Sequence, residues 1–97
     1  MVHEVIIQPE VFDELAEDKK WYRDRSEKAA EELEIDFFNS LEIIAQYPLL
    51  CQVRYSDIRI YWLEKFPYGI HFSIEANMIN ILALIHVKKS PEIWRKE

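Results

Sequence analysis

One cysteine, one glycine and four prolines in 97 residues exclude several architectures. A lone Cys51 closes no internal disulfide and builds no thiolate zinc site, so it reads as a small buried hydrophobe. So little glycine leaves no room for a long flexible linker. The longest apolar run, Ile81 to Ile85, falls far short of the roughly 20 residues of a membrane helix. The N-terminus has neither the basic flank nor the apolar core of a signal peptide, so the expected location is the cytoplasm. Basic excess is missing too. The net charge is −6, with −8 on residues 1–47 and +2 on residues 48–97. Strong non-specific binding to nucleic acid needs many Lys and Arg against phosphates, and this balance argues against it.

What is present is apolar and aromatic. Half the residues are hydrophobic, with three Trp, five Tyr and five Phe, enough to order one domain over 1–97. Val2 to Ile7 is a β-branched run and predicts a first strand. Pro9 suits the first turn of a helix, in which Phe12, Leu15, Ala16 and Tyr22 recur at helical spacing among Glu10, Asp13, Glu14 and Glu17. Ser26 is a natural N-cap for a second helix, whose stripe is Ala30, Leu33, Phe37, Leu41 and Ile44, widened by Phe38 and Ala45. Pro48 ends it.

Leu49 to Tyr55 predicts a short strand, with a turn at Ser56-Asp57. Three alternating runs then form a meander from Ile58 to His86. With Lys65 to Pro67 as the first loop, Trp62 opposes Ile70, Ile60 opposes Phe72 and Ile58 opposes Ile74. With Ala76-Asn77 as the second, Ile74 opposes Ile79, Phe72 opposes Ile81 and Ile70 opposes Ala83. Asn77 is the residue expected to take positive φ there.

These registers predict an α+β fold. An N-terminal strand and an antiparallel helix hairpin cover one face of a mainly antiparallel sheet of four to five strands, with a short C-terminal segment. The other face gathers Arg59, Tyr61, Leu63, Gly69, His71, Ser73, Asn80, Leu82, Leu84 and His86. The last strand is apolar on both sides from Ile81 to Ile85, which predicts an interior position and a second cover from elsewhere.

Chemistry-bearing patterns are sparse. His3, His71 and His86 sit in no metal-ligand spacing, so no metal is expected. No Gly-x-Ser-x-Gly is present, and Cys51 has no base beside it. Glu10, Asp13, Glu17, Glu31, Glu32 and Glu34 read as a solvated helix surface. Among the basic residues of the second half, Arg59 stands out because the register places it mid-face.

The order of elements and their motifs resembles the RelE/ParE superfamily of bacterial type II toxin–antitoxin toxins. The residues that carry the resemblance are Phe66, Pro67, Tyr68, Ile70 and Phe72, then His86, Lys88, Lys89, Pro91 and Trp94, with Trp21-Tyr22 late in the first helix. The RelE branch implies a ribosome-dependent mRNA endoribonuclease, here built on Arg59, Lys65, His86 and Lys88. In that pattern the strand-opening arginine falls at Gly69 and the C-terminal tyrosine at Trp94. A glycine cannot stabilise a pentavalent phosphate, and losing such electrostatics removes orders of magnitude in rate.

The chain looks closer to the ParE branch. That resemblance implies a plasmid-stabilisation toxin that binds DNA gyrase, carries no nuclease site or cofactor, and is neutralised by an antitoxin. A non-toxic module that keeps only antitoxin binding is the further alternative; ribosome and mRNA are partners only in the nuclease reading, and self-association stays open. The surface expected to meet antitoxin or target is Arg59, Tyr61, His71, Leu82, Leu84, His86, Lys88, Lys89 and Trp94.

Overall fold

The computed structural model describes residues 3–89. Strand β1 is Glu4–Ile7, and Pro9 at its end starts helix α1, Pro9–Arg23. Glu10 in the first turn and Lys20 and Arg23 in the last complement the helix dipole. Ser26 caps helix α2, Glu27–Gln46, as expected: its Oγ accepts the Ala29 N–H at 3.2 Å. A 3-10 turn, Pro48–Leu50, then replaces the first half of the strand expected over Leu49 to Tyr55. Only Val53–Tyr55 is extended, as β2; β3 is Ile58–Trp62, β4 is Tyr68–Glu75 and β5 is Met78–His86. A 3-10 turn, Val87–Lys89, follows.

The five strands form one sheet in the order β1-β5-β4-β3-β2. Neighbours are antiparallel except β1 and β5, whose parallel pairing joins the first and last described strands. β5 lies between β1 and β4 from Met78 to Ile81, but over Leu82 to His86, where most of its two-sided apolar run falls, only β4 adjoins it among the described residues. The helix hairpin packs on one side, burying Leu33, Phe37, Leu41 and Ile44 against Ile70, Phe72, Ile79 and Ile81.

Within this architecture several expected details differ. The buried stripe of α1 runs through Val11 and Leu15 to Tyr22, while Phe12 is 47% exposed and Ala16 is also outside. On α2, Phe38 lies outside, and the stripe widens the other way, through Asp36 and Ser40. Positive φ at the β4–β5 turn belongs to Ala76 (55°) rather than Asn77.

The largest difference is in register. The β3–β4 loop has four residues, not three, because Leu63 pairs with Tyr68 through an N–H to carbonyl bond of 2.9 Å. Arg59 therefore opposes Phe72, Ile60 opposes His71, Tyr61 opposes Ile70 and Trp62 opposes Gly69. One residue of slip exchanges the two faces of β3. The cause lies on α2: buried Asp36 accepts the backbone N–H groups of Glu64, at 3.3 Å, and Lys65, at 2.8 Å. Arg59 is tolerated on the helix side because its guanidinium donates to the Cys51 carbonyl.

A bulge makes a second shift. Ile74–Ile79 and Phe72–Ile81 pair as expected, but His71 meets Ala83 and Ile70 meets Leu84, leaving Leu82 without an opposite residue.

Candidate functional site

The two shifts redistribute the expected surface. Arg59, Tyr61, Leu84 and His86 all lie in rows shared with core residues Phe72, Ile70 and Tyr68, hence on the helix side. Leu84 is only 3% exposed. His71 alone remains clearly on the far side, and Leu82 is the half-buried bulge residue. Lys88 and Lys89 are exposed in the last 3-10 turn, and Trp94 lies outside the described residues. The eight described residues thus share no one sheet face, although Leu84, His86, Lys88 and Lys89 come together along one groove.

The far side is organised around Gly69. Its row runs Trp62, Gly69, Ile85, and the row beside it Ile60, His71, Ala83. A Cβ on Gly69 would stand 2.8 Å from Ile60 Cγ2 and 2.9 Å from Trp62 Cζ3, so the glycine lets these side chains lie against the strand. His71 is 1% exposed, and its Nδ1 shares a 2.8 Å hydrogen bond with the Tyr55 hydroxyl. Burial pulls this imidazole down to a pKa of about 4, so it is neutral near pH 7. Ile58, Trp62, Ala83 and Ile85 are only partly buried, giving some apolar surface opposite the helices.

On the helix side, a groove of about 540 Å³ separates α1 from the end of β5. Glu14, Glu17, Asp18, Trp21 and Tyr22 form one wall; Leu84, Ile85 and His86 form the other, with Tyr68 between them and Lys88 and Lys89 beyond. The inward stripe of α1 explains this content: after Val11 and Leu15 its next positions are Asp18 and Tyr22. Tyr22 meets Tyr68 and Phe66 edge-on, at 6.4 and 5.0 Å between ring centres, and Tyr68 meets the His86 ring at 5.1 Å.

Burial raises Asp18 to about 6, Lys89 opposing the shift and Glu14 and Glu17 adding to it. Glu14 is raised for the same first cause, against the hydrogen bond it accepts from the Leu84 N–H at 2.9 Å. Tyr68 is held above its ordinary range by burial and by the neighbouring Asp18.

Of the residues of the nuclease reading, Arg59 stands apart, whereas the loop that carries Lys65 meets the end of β5, its Pro67 carbonyl accepting the Val87 N–H at 2.9 Å between His86 and Lys88. Arg59 is bonded to the Cys51 carbonyl, and four strand residues, about 13 Å, separate its row from that of His86. His86 Nδ1 accepts the Lys88 N–H at 3.0 Å, and Lys65 is exposed on the β3–β4 loop. Among the described residues no group of three or more His, Cys, Asp or Glu could hold a metal, and no helix is long and apolar enough to cross a membrane.

Glu14, Asp18 and Asp36 escaped the sequence reading. The available signal was an acid at a helical position continuous with buried apolar ones: Asp18 follows Val11 and Leu15, and Asp36 adjoins Phe37.

No protein-family model matches the chain, and no curated protein matches it significantly. Among solved structures, it is similar to a chain described as the chromosomal ParDE TA system from P. aeruginosa. The TM-score is 0.76 at 20% identity, covering 89% of this chain and 97% of that one. The α+β architecture is thus a RelE/ParE-like fold, shared nearly end to end with a chain of a ParDE system.

Proposed function

We propose that this protein is a ParE-like toxin of a type II toxin–antitoxin pair, acting by binding rather than by cutting RNA. The observation that carries the reading is the fold shared with the ParDE chain over 89% of this one. Two features of the site agree with it. Where the RelE pattern has arginine, Gly69 is packed beneath Trp62 and Ile60, which would have to shift to admit a larger side chain. The sheet side away from the helices offers partly buried apolar residues that a protein partner could cover. In this reading the antitoxin covers apolar surface of the toxin, and the free toxin engages a cellular protein such as DNA gyrase in the bacterial cytoplasm.

Expression of the protein alone is the test. Growth should stop, and co-expression of the small protein encoded beside it should restore growth and copurify with the toxin. Normal growth at a confirmed level of folded protein would overturn the toxin reading and leave a non-toxic binding module. Arrest with ribosome-phased mRNA cuts would replace it with the nuclease.

A further inference from the structure

Strand β1 accompanies β5 only to the Ile7–Ile81 pair, after which the Gln8 N–H still donates to the Ile81 carbonyl at 3.0 Å. Pro9 then begins α1, and the chain leaves the sheet edge. From Leu82 to His86, β5 has β4 on one side and, among the described residues, no strand on the other. Helix α1 runs along this interval, and the space between is the groove.

An unaccompanied strand is a template for added chain, because its backbone groups point outward at a fixed repeat. Here one of those groups is already answered by a substitute. The Leu84 N–H, which an adjoining strand would meet with a carbonyl, donates to Glu14 Oε1. Burial of that carboxylate raises its pKa, so holding it there costs desolvation. A carbonyl in its place would release Glu14 toward the groove, where Glu17 and Asp18 already stand.

We propose that an extended segment of a partner protein adds to β5 in the line that β1 vacates, placing an arginine or lysine side chain between Glu14, Glu17 and Asp18. Charge selects the occupant: these three carboxylates line the α1 wall. Although Lys89 from the far end of the groove already offsets part of the burial and crowding at Asp18, a cation entering among the three adds attraction to all of them. Trp21 adds an aromatic surface, and its affinity for guanidinium is displayed within the chain, where Arg25 lies 3.6 Å above the ring centre. The volume of about 540 Å³ accommodates a few side chains of such a segment. Taking the partner to be the antitoxin rests on the function proposed above.

The test uses the isotope-labelled full chain and two defined probes: a short peptide alternating valine and arginine, and one of equal length alternating valine and glutamate. The arginine peptide should shift amide resonances from Leu82 to His86 and along α1, and should slow hydrogen exchange at this edge. Glu17→Lys, at an exposed position that leaves packing intact, should weaken binding roughly tenfold or more. Equal binding of both peptides, shifts centred elsewhere, or no shifts would overturn the proposal. Growth arrest without peptide binding removes this site and leaves the toxin reading; binding by a chain that is harmless in cells does the reverse.

Discussion

Asp36 shows how one residue sets the geometry of a distant hairpin. It is 7% exposed on α2, and its two oxygens receive consecutive N–H groups from the β3–β4 loop. Asp36→Ala would strand both donors, at about 1–3 kcal/mol for each unsatisfied group. Urea unfolding should show a loss of roughly 2–6 kcal/mol, with Asp36→Asn costing less because its oxygen still accepts one bond. Gly69 carries the second prediction. Gly69→Ala should cost about 1–3 kcal/mol through overpacking against Trp62 and Ile60, and Trp62→Ala in the same chain should recover part of it. Gly69→Arg should therefore unfold the protein rather than create a nuclease.

The ionisable residues give opposing pH slopes. Folding lowers the His71 pKa from 6.5 to about 4, so the unfolded chain binds more protons between those values and stability falls on acidification. Folding raises Asp18 from 3.8 to about 6, so the folded chain binds more protons across that window and stability rises on acidification. The two largely offset each other between pH 4 and 6. Asp18→Asn removes one slope, and its melting temperature should fall more steeply than that of the wild type as pH drops from 6.5 to 4. An unchanged pH profile would contradict the assignment.

At the scale of elements, hydrophobic periodicity identifies what kind of element forms more securely than which way it faces. Both helices, the Ser26 cap, the Pro48 stop and the β4–β5 turn were legible in the sequence. The faces of β3 were not, because Ile60 and Trp62 on one parity are no more apolar than Tyr61 and Leu63 on the other. Loop length decided between them, and that length depends on Asp36, nearly thirty residues away. The bulge at Leu82 was hidden for a related reason: Ile81 to Ile85 is apolar at every position, so a shifted alternation leaves no trace. The face assignments can be checked by deletion. Phe72→Ala should cost about 3–5 kcal/mol, whereas Phe12→Ala, nearly half exposed, should cost well under that range in the same denaturant titration.

At the scale of the whole molecule, β1 pairs with β5, which fixes α1 beside the end of β5 and creates a groove with an acidic α1 wall and lysines at its far end. The fold was legible because the order of elements and the motifs spread along the chain resembled one superfamily. The site was less so: its residues were assigned to one face by a register the structure revises, and Trp94 lies outside the described residues. What emerges is a helix side with a groove at its end and a far side built on Trp62, Gly69 and Ile85. Of the four residues of the nuclease reading, the Lys65 loop, His86 and Lys88 lie at one end of the sheet and Arg59 lies apart. Inhibition by contact is the mode of action proposed for the ParE-like toxin, and a supercoiling assay with purified DNA gyrase tests it most directly. Adding the protein should abolish supercoiling of relaxed plasmid in proportion to its concentration while leaving ribosome-bound mRNA intact. Full gyrase activity alongside cut mRNA would contradict it.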